Sequence, residues 1–504
     1  MPIIHANALN ARIANMNIDQ GSIPRTVLEV HGTFKNAGFE AYLVGGCVRD
    51  LLLDRVPKDW DLTTNAQPNE ICALFSDTFY ENDFGTVGII TNDENPALKI
   101  VEVTPYRIEG KYSDSRRPDD VTFADTLVED LRRRDFTINA MAYEPSEGRI
   151  VDLHKGLPDL EKRVLRTVGE PHERFGEDAL RMLRAVRFAS ELDFALDGHV
   201  AQAIAERATS LQQISKERIR DEFARILLSD RPMQGIYVAQ KLGILKYIAP
   251  ELEEGLTMEQ NQAHSFSVFE HLLRTLQHAA DRKWTLTLRL AALFHDVGKP
   301  ASRAWSEEKG DWTFYGHEVI GARMTKKILT DLRFPVETVA TVTNLVRWHM
   351  FFSDTDKITL SAVRRLIVRV GREHMDDLVN LRVCDRIGTG RPKEHPFRLR
   401  KYMSMIDEAL RDPISVAMLK IDGKRIIELG EVPGPRIGWI LHALLEEVLD
   451  DPSKNTAENM DSRAKELMKI PEAELRYLGE QGKDRRDEAE EEVVKQVRAR
   501  HHVR

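Results

Sequence analysis

The spacing of apolar and polar positions divides the chain into a mixed stretch and a long helical one. Between about residues 23 and 165, short β-rich runs at 41–44, 59–63, 87–91 and 99–104 are predicted strands set among helical segments. From Glu173 to about Tyr247 strand signals cease, and Ala179, Leu180, Leu183, Val186 and Arg187 fall at helical spacing. Helical patterning then continues to about residue 450, with 302–316 read as a polar loop and 388–396 as a linker. Beyond Pro452 charged residues dominate, which predicts an exposed helix or a mobile tail.

Length and composition sharpen this division. At 504 residues the chain exceeds what one hydrophobic core organises, and 42% hydrophobic with 30% charged residues fits ordinary globular domains. The net charge of −9 excludes a global basic field, so any RNA contact must come from local patches. Cys47, Cys72 and Cys384 form no CxxC pair, which argues against a disulfide framework or a thiolate zinc site. Neither a signal-like N-terminus nor a run of about eighteen apolar residues occurs, so no membrane span is expected and the cytoplasm is the expected compartment.

The first candidate chemistry lies in Leu43-Val-Gly-Gly-Cys-Val-Arg-Asp, a predicted strand, a Gly45-Gly46 turn and a helix start whose N–H groups can face an anion, with Arg49 one turn in. Such a turn alone is also plain connectivity. In Lys58-Asp-Trp-Asp-Leu-Thr, Asp59 and Asp61 are two apart, and on a strand both carboxylates point from one face. Paired like charges call for a hard cation such as Mg²⁺, and Glu102, opposite in face to Val101 and Val103, is a third candidate ligand. Together with Arg133-Arg-Asp-Phe-Thr-Ile-Asn-Ala-Met-Ala, these motifs in order resemble the head of bacterial class II tRNA nucleotidyltransferases and poly(A) polymerases, of the polymerase-beta-like superfamily. The resemblance implies that Asp59, Asp61 and Glu102 are catalytic, with Asp59 and Asp61 binding two Mg²⁺. It also implies that Gly45, Gly46, Arg49, Arg134, Asp135 and Asn139 hold the nucleotide.

Phe175-Gly-Glu-Asp-Ala-Leu-Arg resembles that family's base-reading motif, in which Asp178 and Arg181 replace a template and Glu177 orients Arg181. Their i, i+3 spacing is expected to place the pair on one helix face. Cytosine and adenine each offer an amino donor beside a ring-nitrogen acceptor and satisfy such a pair, whereas uracil and guanine present the reverse pattern. The polar segment 107–118 resembles the family's flexible loop, associated with the switch from C to A addition.

A second constellation begins at His271 and continues with His295-Asp296, which closes the apolar run 288–294, and with Asp385 far downstream. Imidazoles with carboxylates suit a divalent transition metal or Mg²⁺. The order resembles the HD phosphohydrolase superfamily, whose metal ligands these four match, while His317 and His349 match only loosely the further histidines of two-metal relatives. Downstream, Lys424 and Arg436 are candidates either for RNA phosphates or for helix capping.

The expected architecture is therefore α+β and multidomain. It comprises a polymerase-beta-like head (23–165), an all-helical base-selecting and RNA-binding neck (166–250), an HD domain (251–390) and a helical RNA-binding tail with a charged C-terminus (391–504). The expected function is addition of C, C and A to tRNA from CTP and ATP, with a possible phosphohydrolase activity using a divalent metal of unknown identity. A poly(A) polymerase or A-adding enzyme is the nearest alternative. An RNA-binding or RNA-end phosphohydrolase protein with an idle head is a more distant one, against which the intact Asp59 and Asp61 speak.

Overall fold

A computed structural model describes residues 17–81, 85–109, 121–260, 266–351 and 358–479. The chain forms two compact units, 1–248 and 249–504. Most of the resembled flexible loop (110–120) and the last charged segment (480–504) lie outside the described residues.

The first unit opens with helix α1 (Arg25–Asn36) and a seven-stranded mixed sheet of β1 (Ala41–Val44), β2 (Asp61–Thr64), β3 (Thr78–Tyr80), β4 (Val87–Ile90), β5 (Ile100–Pro105), β6 (Met141–Glu144) and β7 (Arg149–Asp152). Their order across the sheet is β3-β4-β5-β2-β1-β6-β7, with β2 and β5 parallel and the other pairs antiparallel. Strand alternation is clearest in β5, where Val101, Val103 and Pro105 are more buried than Glu102 and Thr104. Helix α2 (Gly46–Leu52) follows β1 directly.

The neck is built on α3 (Pro171–Glu177), α4 (Leu180–Leu192) and α5 (Lys216–Leu228). Ile219, Phe223, Ile226 and Leu227 line the buried side of α5, which packs on α4. This region is not free of strands, because Val164–Leu165 and Ala195–Leu196 pair in a short parallel ladder. Two-residue strands are too brief for a visible alternation.

In the second unit α6 (Val268–Asp281), α7 (Leu286–Phe294), α8 (His317–Asp331), α9 (Val336–Trp348) and α10 (Met375–Gly388) surround a shared core. Ser267 and Thr285 cap α6 and α7, each accepting a hydrogen bond from the backbone N–H three residues on. The expected loop at 302–316 contains an antiparallel hairpin, Ala304–Ser306 with Asp311–Thr313. The polar tail is less exposed than its composition predicts, since α11 (Ala457–Leu467) buries Met460, Ala464 and Leu467. A narrow apolar stripe suffices to dock a helix otherwise rich in charge. No helix among the described residues is long and apolar enough to cross a membrane.

Candidate active sites

β1 runs into Gly45, whose φ of 76° lies in the region that disfavours side chains. A Cβ there would stand 3.3 Å from Arg134 Nη1 and 3.5 Å from Asp61 Oδ2, so the positive φ is what favours glycine, and the turn lies as a cradle against both side chains. Asp61 begins β2, and the parallel register sets Glu102 directly beside it. Asp59 departs from the expected strand: it is exposed and precedes β2. The reason is in the ladder, because β1 pairs Leu43 with Leu62 and then turns away at Gly45, leaving no neighbour on that side for residues before Asp61.

Burial and the charge of Asp59 push the Asp61 carboxyl up to about 6, against the pull of Arg134 and Arg49. Burial, with Asp61, Glu81 and Asp59, pushes Glu102 up to about 7. These are carboxylates gathered where a cation is needed to offset their repulsion, and their hard oxygens fit a divalent ion such as Mg²⁺. They are not drawn within 4.8 Å of one another as a set of three.

The Arg133-Arg134-Asp135 segment is held from several sides. Arg133 and Arg134 both pair with buried Asp130, at 2.6 and 3.0 Å. Asp135 accepts hydrogen bonds from Arg184 Nε and Nη2 (2.8 and 2.6 Å), Asn139 Nδ2 (3.2 Å) and the Phe136 N–H (2.8 Å). Burial raises its carboxyl, but Arg184 and Asn139 outweigh it and hold it at about 2. Arg49 donates to Asn139 Oδ1 at 2.7 Å. Asp135 therefore anchors this turn to α4, and Arg49 and Asn139 extend the same network.

Asp178 and Arg181 do not share one helix, because α3 ends at Glu177 and Asp178 adopts extended backbone before α4. Asp178 Oδ1 accepts from the Leu180 N–H at 3.0 Å, and Oδ2 accepts from Arg218 Nη2 at 2.7 Å. A carboxylate that caps the next helix in this way competes with helix continuation, which explains the break. Arg181 donates to Glu177 and, at 3.2 Å, to the Arg174 carbonyl. The expected shared helix face is therefore absent, with only the Arg181 N–H bonding the Asp178 carbonyl at 3.0 Å, while Glu177 does contact Arg181.

In the second unit His271, His295, Asp296 and Asp385 are buried with their ligand atoms within 4.8 Å of one another. His271 Nε2 lies 3.0 Å from His295 Nε2, 3.2 Å from Asp296 Oδ2 and 3.4 Å from Asp385 Oδ1. A second set, Asp296, His317 and His349, meets the same spacing. Asp296 joins the two sets: Oδ2 faces His271 and His295, and Oδ1 lies 3.2 Å from His317 Nε2 and 3.5 Å from His349 Nε2. The Nδ1 atoms of His295, His317 and His349 lie 2.9, 2.6 and 2.6 Å from the carbonyls of Ala292, Phe314 and Val346. A proton on Nδ1 directs the Nε2 lone pair inward, the arrangement that metal-binding imidazoles require; at His295 the neighbouring Asp296 and Asp385 hold the ring up at about 10 against burial, so a bound cation would displace its Nε2 proton. Burial, with His295 and His317 nearby, pushes His349 down to about 4 and keeps it a neutral donor. Asp296 and Asp385 are held well below the usual carboxylate range despite burial, the former chiefly by His295 and Lys299, the latter by His271 and His295. This donor set fits two divalent ions sharing one carboxylate.

Three family models match in order: the Poly A polymerase head domain over residues 41–166, the probable RNA and SrmB-binding site of polymerase A over 193–256, and the HD domain over 268–387. The CCA-adding enzyme of Lactobacillus helveticus is 32% identical over 440 residues, covering 86% of this chain and 95% of the relative. The chain belongs to the CCA-adding enzyme family. That of Limosilactobacillus reuteri is 47% identical over 220 residues, and there the match spans about half of the relative, 53% of its length and 44% of this chain. Among solved structures, the Bacillus stearothermophilus CCA-adding enzyme in complex with CTP matches with a TM-score of 0.66 and 27% identity, covering 88% of this chain and 98% of that one.

Nucleotidyl transfer in this family is metal-dependent, and the second unit of this member holds two candidate metal-ligand groups. The tertiary structure adds three residues that the motifs did not single out: Arg184 on Asp135, Arg218 on Asp178, and Lys299, whose Nζ lies 2.6 Å from Asp296 Oδ2. Arg184 and Lys299 stand three residues beyond Arg181 and Asp296, and that i, i+3 spacing was the available signal. Arg218 gave none. Arg436 bonds Glu431 and the carbonyls of Met468 and Ile470 just beyond α11, so it ties the tail together; Lys424 is exposed.

Proposed function

We propose that this chain adds C, C and A to the 3′ end of tRNA, using CTP and ATP and no nucleic-acid template. The observation that carries the reading is the side-by-side register of Asp61 and Glu102 beneath the Gly45 cradle. In the reaction the RNA 3′-hydroxyl oxygen bonds to the α-phosphorus of the nucleotide, the bond from that phosphorus to the β-bridging oxygen breaks, and pyrophosphate leaves while the hydroxyl proton passes to water. Asp59, Asp61 and Glu102 are the groups to hold Mg²⁺, which when bound neutralises charge on the attacking and departing oxygens. Arg134 lies beside Gly45 and Asp61, which supports a role for it on the triphosphate. Asp178 accepts the exocyclic amine of cytosine or adenine, and Arg181, steadied by Glu177, donates to the ring nitrogen.

A second activity is proposed for the HD centre: hydrolysis of phosphate esters on RNA ends, leaving a free 3′-hydroxyl. His271, His295, Asp296, Asp385, His317 and His349 are the groups to hold its metals, which when bound supply an activated water. tRNA maturation places this work in the cytoplasm.

The deciding test incubates the full chain and Mg²⁺ with tRNAs ending before, within and after the CCA triplet, followed by sequencing of the products. A stop after one terminal A is expected. Long A tails on many RNAs would replace the reading with a poly(A) polymerase, and extension only of tRNA ending in CC would make it an A-adding enzyme.

A further inference from the structure

On the face of the head sheet that carries Asp61, one row of side chains crosses four strands. Asp61 of β2 pairs with Glu102 of β5, Glu102 with Gly88 of β4, and Gly88 with Phe79 of β3. Directly opposed residues share a face and strands lie about 4.8 Å apart, so the row leads from the carboxylates to an aromatic ring two strands beyond Glu102. Gly88 lets that ring lie down. A Cβ there would stand 2.5 Å from Phe79 Cζ, 2.6 Å from Cε1 and 3.1 Å from Cε2, so the ring reaches across β4 with its far edge over Gly88, on the side of Glu102.

The next row on this face is apolar as well. Ile90 pairs with Ile100, and both are exposed, at 51% and 44%. The other face of the same two strands is closed, with Val87, Ile89, Val101 and Val103 buried. A ring over a strand glycine restores packing that the missing side chain gives up, but it does not call for two isoleucines standing in water beside it. An uncharged, open surface continuous with the Asp61–Glu102 pair suits the apolar part of a molecule that brings its reacting oxygen to those carboxylates.

We infer that Phe79, Gly88, Ile90 and Ile100 form the floor for the last nucleoside of the RNA acceptor, whose base lies on the Phe79 ring while its 3′-hydroxyl lies toward Asp61 and Glu102. This rests on the proposed nucleotide addition and names the surface that takes the RNA side of the reaction. As C, C and A are added in turn, the last base of the acceptor changes from step to step, so its seat must tolerate different bases. Stacking does so, since every base has a flat face, whereas a hydrogen-bonding seat rejects those it does not match. In the proposed reaction Asp178 and Arg181 read donors and acceptors on the incoming base, and the side chains of the floor offer none.

The test uses the full chain and tRNA acceptors ending before the CCA triplet, with the last nucleoside either intact or lacking its base. In the parent, removing the base should lower kcat/KM for the acceptor about tenfold, and Phe79→Ala should lower it about as much on the intact acceptor. The two losses should not add, because each removes the same stack, and Phe79→Tyr should restore the rate. A second readout needs no chemistry. With 2-aminopurine as the last base, fluorescence should fall when the acceptor binds without nucleotide, and it should fall less with Phe79→Ala. The same is expected of Ile90→Ser combined with Ile100→Ser, an exposed pair whose replacement spares the core. Quenching that depends on Phe79 in a chain that adds no nucleotide would leave the floor standing and remove the addition reading. A loss from base removal that persists in full in Phe79→Ala, or quenching equal to the parent's in variants that melt as the parent does, would overturn the floor. So would a dimer that the double isoleucine variant converts to a monomer with the quench unchanged, which would give this face to a second copy.

Discussion

Asp61 and Glu102 illustrate how a site is built from groups that disfavour one another. Their carboxyls sit at about 6 and 7, above the ordinary value near 4. A raised acid binds its proton more tightly folded than unfolded, so its contribution to stability is fully present below about pH 4 and is lost as pH rises through 6 and 7. Added Mg²⁺ competes with those protons and offsets the repulsion that remains once they leave. The Mg²⁺-induced rise in melting temperature should therefore be small near about pH 5.5 and grow by about pH 8, and Asp61→Asn with Glu102→Gln should remove most of the growth. Equal increments at both pH values would count against a cation site here. Asp61→Ala alone should lower both C and A addition by at least about a thousandfold with tRNA affinity retained, read from single-turnover rates and filter binding. In the proposed reading base choice rests on Asp178 and Arg181, and Arg218 bonds Asp178. Asp178→Ala should lower the ratio of kcat/KM for CTP over UTP by about tenfold or more, because a buried mismatch is then no longer penalised. Arg218→Ala should narrow the same ratio by a smaller factor. Unchanged ratios in both variants would make Asp178 a helix cap and nothing more.

Close backbone approaches fix how the helices carry these groups. A Cβ on Gly298 would fall 2.3 Å from the His317 carbonyl and 2.5 Å from the Gly321 nitrogen, both backbone atoms of α8. Neither can swing aside as a flexible side chain does. Gly298→Ala is expected to push the start of α8 away, lowering stability by about 1–3 kcal/mol. It should also reduce occupancy of the Asp296-His317-His349 set more than that of the His271-His295-Asp385 set. Metal content per chain and a melting curve measure both, and full occupancy of two ions in a stable variant would contradict the role given to this contact.

The two proposed chemistries reside in separately compact units, and neither unit borrows a ligand from the other in the sites described. His295→Ala combined with Asp296→Ala should abolish release of phosphate from RNA ends and leave nucleotide addition within about twofold of the parent, with addition serving as the internal control. Loss of both activities, in a protein that still melts cooperatively, would show that the sites are not separable. The net charge of −9 sets a further condition: tRNA must be held by local basic surfaces, and its affinity should still fall as salt rises, with a slope that counts the phosphates contacted.

Contiguous strings were legible before any folding. The Gly45-Gly46 turn, Asp59 and Asp61, the Arg133-Arg134-Asp135 run and His295-Asp296 all stand in short motifs, because the chemistry needs those residue types a fixed few positions apart along the chain. The β-rich runs predicted at 41–44 and 87–91 meet strands 41–44 and 87–90, and alternation gave the buried face of β5. What periodicity cannot report is which distant residue comes to stand opposite. The start of β2 at Asp61 depends on where β1 leaves the sheet. The break at Asp178 depends on its side chain capping α4, and its second oxygen is taken by Arg218, forty residues on. Asp296 joins two histidine pairs because α6, α8 and α9 converge on the end of α7, and its two carboxylate oxygens face opposite sets. Sequence spacing governs neighbours within an element, since backbone geometry sets their directions. Pairings between elements are settled only when apolar faces pack, and the polar groups brought along with them then find their partners.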